Sequence, residues 1–143
     1  MKAISLTQPW ATLVAIGMKC VETRSWRSWY FGEIAIHAAK SYPRWAQNFC
    51  DEKVVPYFTN QTLPKFPTGC IVAKARLIAC VGTNNCGMAA KALNFVPDHP
   101  WKQEWMFGDF SAGRWAWLLC DVVPIDPPIP ARGALGIWEW AQE

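Results

Sequence analysis

Apolar and polar positions alternate with period two along much of the chain and fall at helical spacing in two stretches. Ala3 to Leu6 reads as a short strand. Pro9 follows, suited to a first helical turn where its missing N–H costs nothing. Trp10 to Met18 is predicted helical, with Trp10, Leu13, Val14 and Gly17 at core spacing. Gly17 stands at its end as a C-cap, where positive φ is often needed. Cys20 to Trp26 alternates, which predicts a strand with Cys20, Glu22, Arg24 and Trp26 on one face and Val21, Thr23 and Ser25 on the other. Glu33 to Ala39 is a second alternating strand, Ile34, Ile36 and Ala38 opposing Glu33, Ala35, His37 and Ala39.

Pro43 opens a second helix, through about Glu52, with Trp45 and Phe49 on one face. Val54 to Pro67 contains three prolines and reads as a loop or broken helix. Cys70 to Val81 is a long strand ending at Gly82, with Ile71, Ala73, Ala75, Leu77 and Ala79 together and Lys74, Arg76 and Ile78 turned away. Thr83 to Pro100 reads as irregular, with a short helix from Gly87 to Leu93. Trp101 to Phe107 is expected to be a short strand or turn. Arg114 to Val123 is the next strand. Pro124 to Pro130 holds four prolines, which excludes a regular central strand. Gly136 to Trp140 closes the chain as a last short strand. Short strands outnumber helices, and the helices lie between strands. The expected class is a β-rich α+β domain, a partly closed barrel with helices packed around it. At 143 residues, with no internal repeat or linker-like tract, a single domain over 1–143 is expected.

Composition changes this picture little. Hydrophobic residues make up 52% and charged residues 17%, which suits a folded core and excludes a disordered chain. A net charge of +3 permits an anionic partner without demanding one. No apolar segment is long enough for a membrane span, and the N-terminus turns polar too soon for a signal peptide, so a cytoplasmic location and no membrane partner are expected. The six cysteines, at 20, 50, 70, 80, 86 and 120, form no Cys-x-x-Cys and lie mostly in apolar runs. They read as buried thiols, and neither a metal nor another cofactor is expected. The ten tryptophans are the unusual feature. Most belong in a core, and two or three are expected to line a cleft.

The chemistry concentrates between Gly17 and Arg27, where Lys19, Arg24 and Arg27 surround Glu22, with Trp26 beside them. Glu22 and Arg24, two apart on one strand face, are close enough to pair, and Lys19 at the helix–strand corner can aim at the same place. A guanidinium presents forked donors for a phosphate or a base edge and stacks on aromatic rings. A partly buried lysine can serve as base or nucleophile when its pKa is lowered. The same residues would also serve as an ordinary surface ion pair. Trp26 with Arg27, the Trp29–Tyr30 loop and Asp109 beside Arg114 are further candidates for a cleft that stacks a base, and Trp10 reads equally as a core residue. Trp29 is more readily a packed aromatic, Asp109 equally a turn residue, and His37 a satisfied strand residue. Lys74 and Arg76 form a plausible backbone-contacting pair on one strand face.

Ser5-Leu6-Thr7-Gln8-Pro9-Trp10-Ala11, then Gly17-x-Lys19-x-x-Glu22-x-Arg24-Ser25-Trp26, then Gly32 and Ile36-His37-Ala38, resembles the opening of the ASCH domain family, relatives of the PUA domains of RNA-modifying proteins. Phe107-Gly108-Asp109-Phe110, Gly113-Arg114-Trp115-Ala116-Trp117-Leu118-Leu119 and Gly136-Ile137-Trp138-Glu139-Trp140 extend the resemblance to nearly the whole chain. It implies a PUA-like barrel with a cleft for RNA, single-stranded DNA or a modified nucleoside, lined by Gln8, Trp10, Lys19, Glu22, Arg24, Trp26, Arg27 and Asp109. One branch of the family hydrolyses N4-acetylcytidine with a Lys and a Thr in the matching element and a Glu elsewhere. Lys19 matches that Lys. Glu22 stands where the Thr would be, and the sequence does not place the distant Glu. Lys19 and Glu22 are the catalytic candidates if the chain is such an amidohydrolase. Ribonuclease activity is attributed to other members, but no pair of histidines at suggestive spacing supports it here. The expectation is a nucleic-acid-binding module, with amidohydrolase as the alternative.

Overall fold

The structure, a computed structural model, describes residues 1–85, 99 and 101–142. Six strands form one mixed sheet: β1 (Lys2–Leu6), β2 (Val21–Arg24), β3 (Gly32–Ala38), β4 (Cys70–Gly82), β5 (Trp115–Pro130) and β6 (Ile137–Glu139). Their order is β2-β5-β4-β3-β1-β6, and the sheet curls into a half-barrel of PUA-like α+β type. Only β1 and β3 run parallel, because the chain crosses from one to the other through α1 (Trp10–Ala15) and β2. The described residues also include α2 (Arg44–Phe49) and α3 (Trp101–Phe107).

The concave face carries the main core. Ile4, Leu6, Ile34, Ile36, Leu77, Trp117 and Leu119 close against Ala11 and Val14 of α1. Leu13, the residue before Val14, turns the other way to meet Cys50, Val54 and Phe107, so α1 is held between the sheet and the segments around α2 and α3. Gly17 takes φ +82 just after α1, as its capping role requires.

Four elements depart from the sequence expectation, each for a local reason. Residues 101–107 form a helix, not a strand or turn. Trp101 and Trp105 stack their rings at one-turn spacing while Glu104 and Phe107 point inward, a helical pattern confined to seven residues. After α2 the chain stays wound through a π-helical turn, Cys50–Val54, and a 3-10 turn, Val55–Phe58, with Pro56 tolerated at the start of that last turn. The face alternation of β4 is reset by register shifts against β5. Val72 and Ala73 therefore both reach the main core, while Ile71 faces Ala3, Ala35 and Trp140 on the other side. Finally, β5 continues through its proline-rich half to Pro130. β2 pairs with β5 only over Trp115–Leu118, so the prolines lie where β4 is the one strand neighbour among the described residues, and the ladder to β4 skips from Ala73–Pro124 to Ile71–Ile129 across them. The bulge between these halves places Asp121 at φ 51, a conformation that Asp tolerates. The helix expected at 87–93 lies outside the described residues. No helix among the described residues is long and apolar enough to cross a membrane.

Candidate functional site

The C-terminal end of β1, the start of α1, the polar face of β2, α2 and the turn after α3 enclose a cleft of about 470 Å³. Its floor comes from β2. Val21 and Thr23 are buried beneath, and the alternation leaves Glu22 and Arg24 facing the cavity, with Arg24 Nε 3.5 Å from Glu22 Oε1. Arg24 Nη2 donates to the Ser5 carbonyl at 2.6 Å, which ties β2 to the end of β1. Across the floor Arg114 repeats the arrangement: its Nη2 donates to Thr23 O at 3.0 Å, and its Nε lies 3.5 Å from Asp109 Oδ2. Asp109 is itself held by Ser111, which donates its Oγ–H at 2.7 Å and its backbone N–H at 3.1 Å to Oδ1. Those two hydrogen bonds, with some help from Arg114, keep the Asp109 carboxyl below its ordinary pKa.

Both guanidinium Nε atoms, of Arg24 and of Arg114, are buried without a hydrogen-bond acceptor. Each sits within ion-pair range of its carboxylate, but not in hydrogen-bonding geometry. Two buried donors left without an acceptor beside one cavity are an unusual cost for a folded protein.

One wall is aromatic. Trp10 donates its Nε1–H to Phe107 O at 2.5 Å, stacks on Phe49 with centroids 4.9 Å apart, and meets Trp45 at 5.8 Å. Trp45 is 62% exposed and borders the cleft, so its ring is an open face at the mouth.

Beneath the floor lies a buried charge network. Glu104 of α3 accepts from Lys19 Nζ at 2.5 Å, Cys20 N at 2.6 Å, Val21 N at 3.0 Å and, through the ring, His99 Nε2 at 2.9 Å. Lys19 Nζ also donates to Val21 O at 2.6 Å. Burial opposes the charge on Glu104, but the His99 hydrogen bond, the Lys19 ammonium and the Cys20 N–H together hold its carboxyl below the ordinary value. Glu22 goes the other way: burial pushes its carboxyl up, and Arg24 and Lys19 only partly offset this. Glu104 and Glu22 are thus driven apart, one as a fixed anion and one as a group that keeps its proton to higher pH.

Of the residues expected to line the cleft, Trp10, Lys19, Glu22, Arg24 and Asp109 do so. Lys19 reaches it from below, and its carboxylate partner is Glu104, not Glu22. Gln8 does not line it. Its side chain is buried, accepting from Thr12 N and donating to Thr12 Oγ1 and Pro67 O, which fastens α1 to the segment beneath it. Trp26 packs edge-on against Trp117 in the core, and Arg27 lies over the Trp115 ring on the outer surface. Trp29, expected to be packed, is exposed, with Lys2 over its ring. Lys74 bonds Gln142, and Arg76 pairs with Glu33 and Asp121, both outside the cleft. His37 is satisfied by Ser5 and Ala131 O. The sequence reading missed Glu104, Trp45 and Phe49 as site residues; the last two were visible only as one face of a helix.

Cys20, His99 and Glu104 bring a thiol, an imidazole and a carboxylate within 4.8 Å of one another, a grouping that spacing along the chain does not reveal. The donor set fits a hydrogen-bonded network better than a cation. Every Glu104 oxygen already accepts a hydrogen bond, and burial followed by the Glu104 charge pushes the Cys20 thiol up to about 12.

A curled PUA-like sheet with a polar-floored, aromatic-walled cleft at the end of its first strand defines the class. The family model for the ASCH domain matches residues 4–125, and the chain belongs to the ASCH domain family. Among solved structures it is similar to an ASCH protein from Zymomonas mobilis, at 22% identity over 90% of this chain and 72% of that one, with a TM-score of 0.49. A tyrosine-to-phenylalanine variant of that protein matches at 22% identity over 90% of this chain and 74% of that one, again with a TM-score of 0.49. No protein of curated function matches the sequence.

Proposed function

We propose that the chain is a nucleic-acid-binding module that takes one base of RNA or single-stranded DNA, or a modified nucleoside, into this cleft. The observation that carries the reading is the pair of guanidinium groups, of Arg24 and Arg114, that line one cavity together with an aromatic wall. A nucleobase matches them, with carbonyl and ring-nitrogen acceptors for the cavity-facing parts of the guanidinium groups. Its exocyclic amine suits the Glu22 and Asp109 carboxylates, and its flat face suits the open Trp45 ring. A cavity of about 470 Å³ falls within the size range of small-ligand sites.

One observation favours amidohydrolysis of N4-acetylcytidine as a second reading. Glu104 supplies the distant carboxylate partner of Lys19 that the motif alone left unplaced. Glu22, raised by burial and facing the cavity, is then the group that takes a proton from water and returns it to the leaving amine. The Lys19 ammonium, held between Glu104 and Val21 O, acts in this reading as a fixed charge beneath the reacting acyl group.

One experiment separates the two. The protein is incubated with N4-acetylcytidine, with unmodified nucleosides and with single-stranded oligonucleotides, and both turnover and retention are measured. Retention without turnover supports the module. Acetate release that disappears in Glu22→Gln supports the enzyme.

A further inference from the structure

A second, larger cavity of about 1180 Å³ opens on the other side of the end of β1. Ser5 belongs to both. Its carbonyl accepts from Arg24 in the base cleft, while its hydroxyl faces the second cavity. The floor of that second cavity is internally satisfied. His37 Nε2 donates to Ala131 O at 2.9 Å, so its Nδ1 is left to accept from Ser5 Oγ at 2.9 Å, and Trp138 Nε1 donates to the same hydroxyl at 3.2 Å. The backbone of Gly133 lies directly on this floor, where a Cβ would stand 2.5 Å from His37 Cε1 and 2.7 Å from Ser5 Oγ.

The rim differs. Lys40 and Arg132 are exposed there, and among the described residues no acid lines the cavity. Neither cation lies within ion-pair distance of a carboxylate among the described residues. A cavity with two unpaired cations and no acid, sharing a wall residue with a base-sized cleft, has the charge and the continuity for a polyanion that enters both. A guanidinium and an ammonium are the two side chains that bind phosphate most readily, one as a fork and one as a point charge.

We propose that this second cavity carries the phosphodiester backbone of the single strand whose base occupies the first, with Lys40 and Arg132 each contacting one phosphate. The inference rests on the base-binding reading and adds a path for the strand. It assigns sequence-independent affinity to one side of Ser5 and base recognition to the other.

The test uses the double variant Lys40→Ala/Arg132→Ala, both positions being exposed and free of structural bonds among the described residues. Binding of a short mixed-sequence oligoribonucleotide, and of its deoxy counterpart, is followed by fluorescence anisotropy across a salt series. Binding of cytidine, guanosine and N4-acetylcytidine is followed by calorimetry. The expected result is weaker oligonucleotide binding with a log–log salt slope reduced by about 1.4, roughly 0.7 for each lost phosphate contact on a single strand. Nucleoside binding stays unchanged, and Lys40→Arg/Arg132→Lys keeps the wild-type slope. If nucleosides bind but the slope of the double variant equals that of wild type, or oligonucleotides bind no better than nucleosides, the path is wrong and the base cleft stands. If neither nucleosides nor oligonucleotides bind, the base reading fails and takes this inference with it.

Discussion

Lys19 Nζ stands 2.5 Å from Glu104 Oε2 although the two residues are 85 apart in the chain, and both side chains are withdrawn from water, at 1% and 0% exposure. The pair joins the corner between α1 and β2 to α3, directly under the floor of the cleft. A pair this deep gains little over a well-packed apolar one, but losing one partner strands the other.

Glu104→Gln is therefore expected to cost about 3–5 kcal/mol, because it leaves the Lys19 ammonium buried without its counter-charge. Urea unfolding checks this. The double variant Lys19→Met/Glu104→Gln should recover a clear part of the loss. A single-variant loss of only a few tenths of a kcal/mol would show the pair to be solvated.

Trp45→Ala should weaken base binding by about 1–3 kcal/mol, the usual worth of one base–aromatic stack. The ring is mostly exposed, so the unfolding midpoint should barely move. Affinity equal to wild type for every nucleoside and oligonucleotide would remove Trp45 from the site. Arg24→Lys should also weaken binding, since an ammonium cannot both hold the Ser5 carbonyl and present a second donor to the ligand.

His37 sets a pH dependence of stability. Burial holds its imidazole below the ordinary value of 6.5, against a smaller opposing contribution from Ala131 O. Below about 6.5 the unfolded chain takes up a proton that the folded chain resists, so the contribution of this residue falls as pH drops and levels off beneath the folded pKa. His37→Gln should flatten that part of the profile in unfolding experiments run from neutral to mildly acidic pH. An unchanged slope would mean that the ring titrates freely.

Glu22 acts in the opposite direction. Its folded pKa is raised, so the protonated carboxyl is favoured on folding, and its contribution is lost as pH rises from its ordinary 4.5 through the folded value. Glu22→Gln should remove this decline and leave the His37 slope in place. Proton uptake on folding, measured by calorimetry in buffers of different ionisation enthalpy, should shrink in the variant; an identical uptake would contradict the raised value.

The parts of the site legible in the sequence were those governed by local periodicity. Glu22 and Arg24 share a face because a strand repeats every second residue, and Gly17 capped α1 because positive φ leaves few alternatives. Glu104 was hidden for two physical reasons. A helix of seven residues offers hardly two turns of pattern, and a buried ion pair spanning 85 residues leaves no trace in spacing. Gln8 was expected at the cleft because the resemblance puts the start of the first helix on its border, whereas here its side chain satisfies the first turn of α1 from within. The faces of β4 were misassigned because bulges shift the alternation, and bulges are set by the partner strand.

The proline-bearing half of β5 has a consequence for colloidal behaviour. From Val122 to Pro130 this strand has β4 as its one strand neighbour among the described residues. An open strand of this length is ordinarily a template on which a second molecule polymerises. Here Pro124, Pro127, Pro128 and Pro130 interrupt the row of amide donors along this stretch, so the rim resists fibril nucleation.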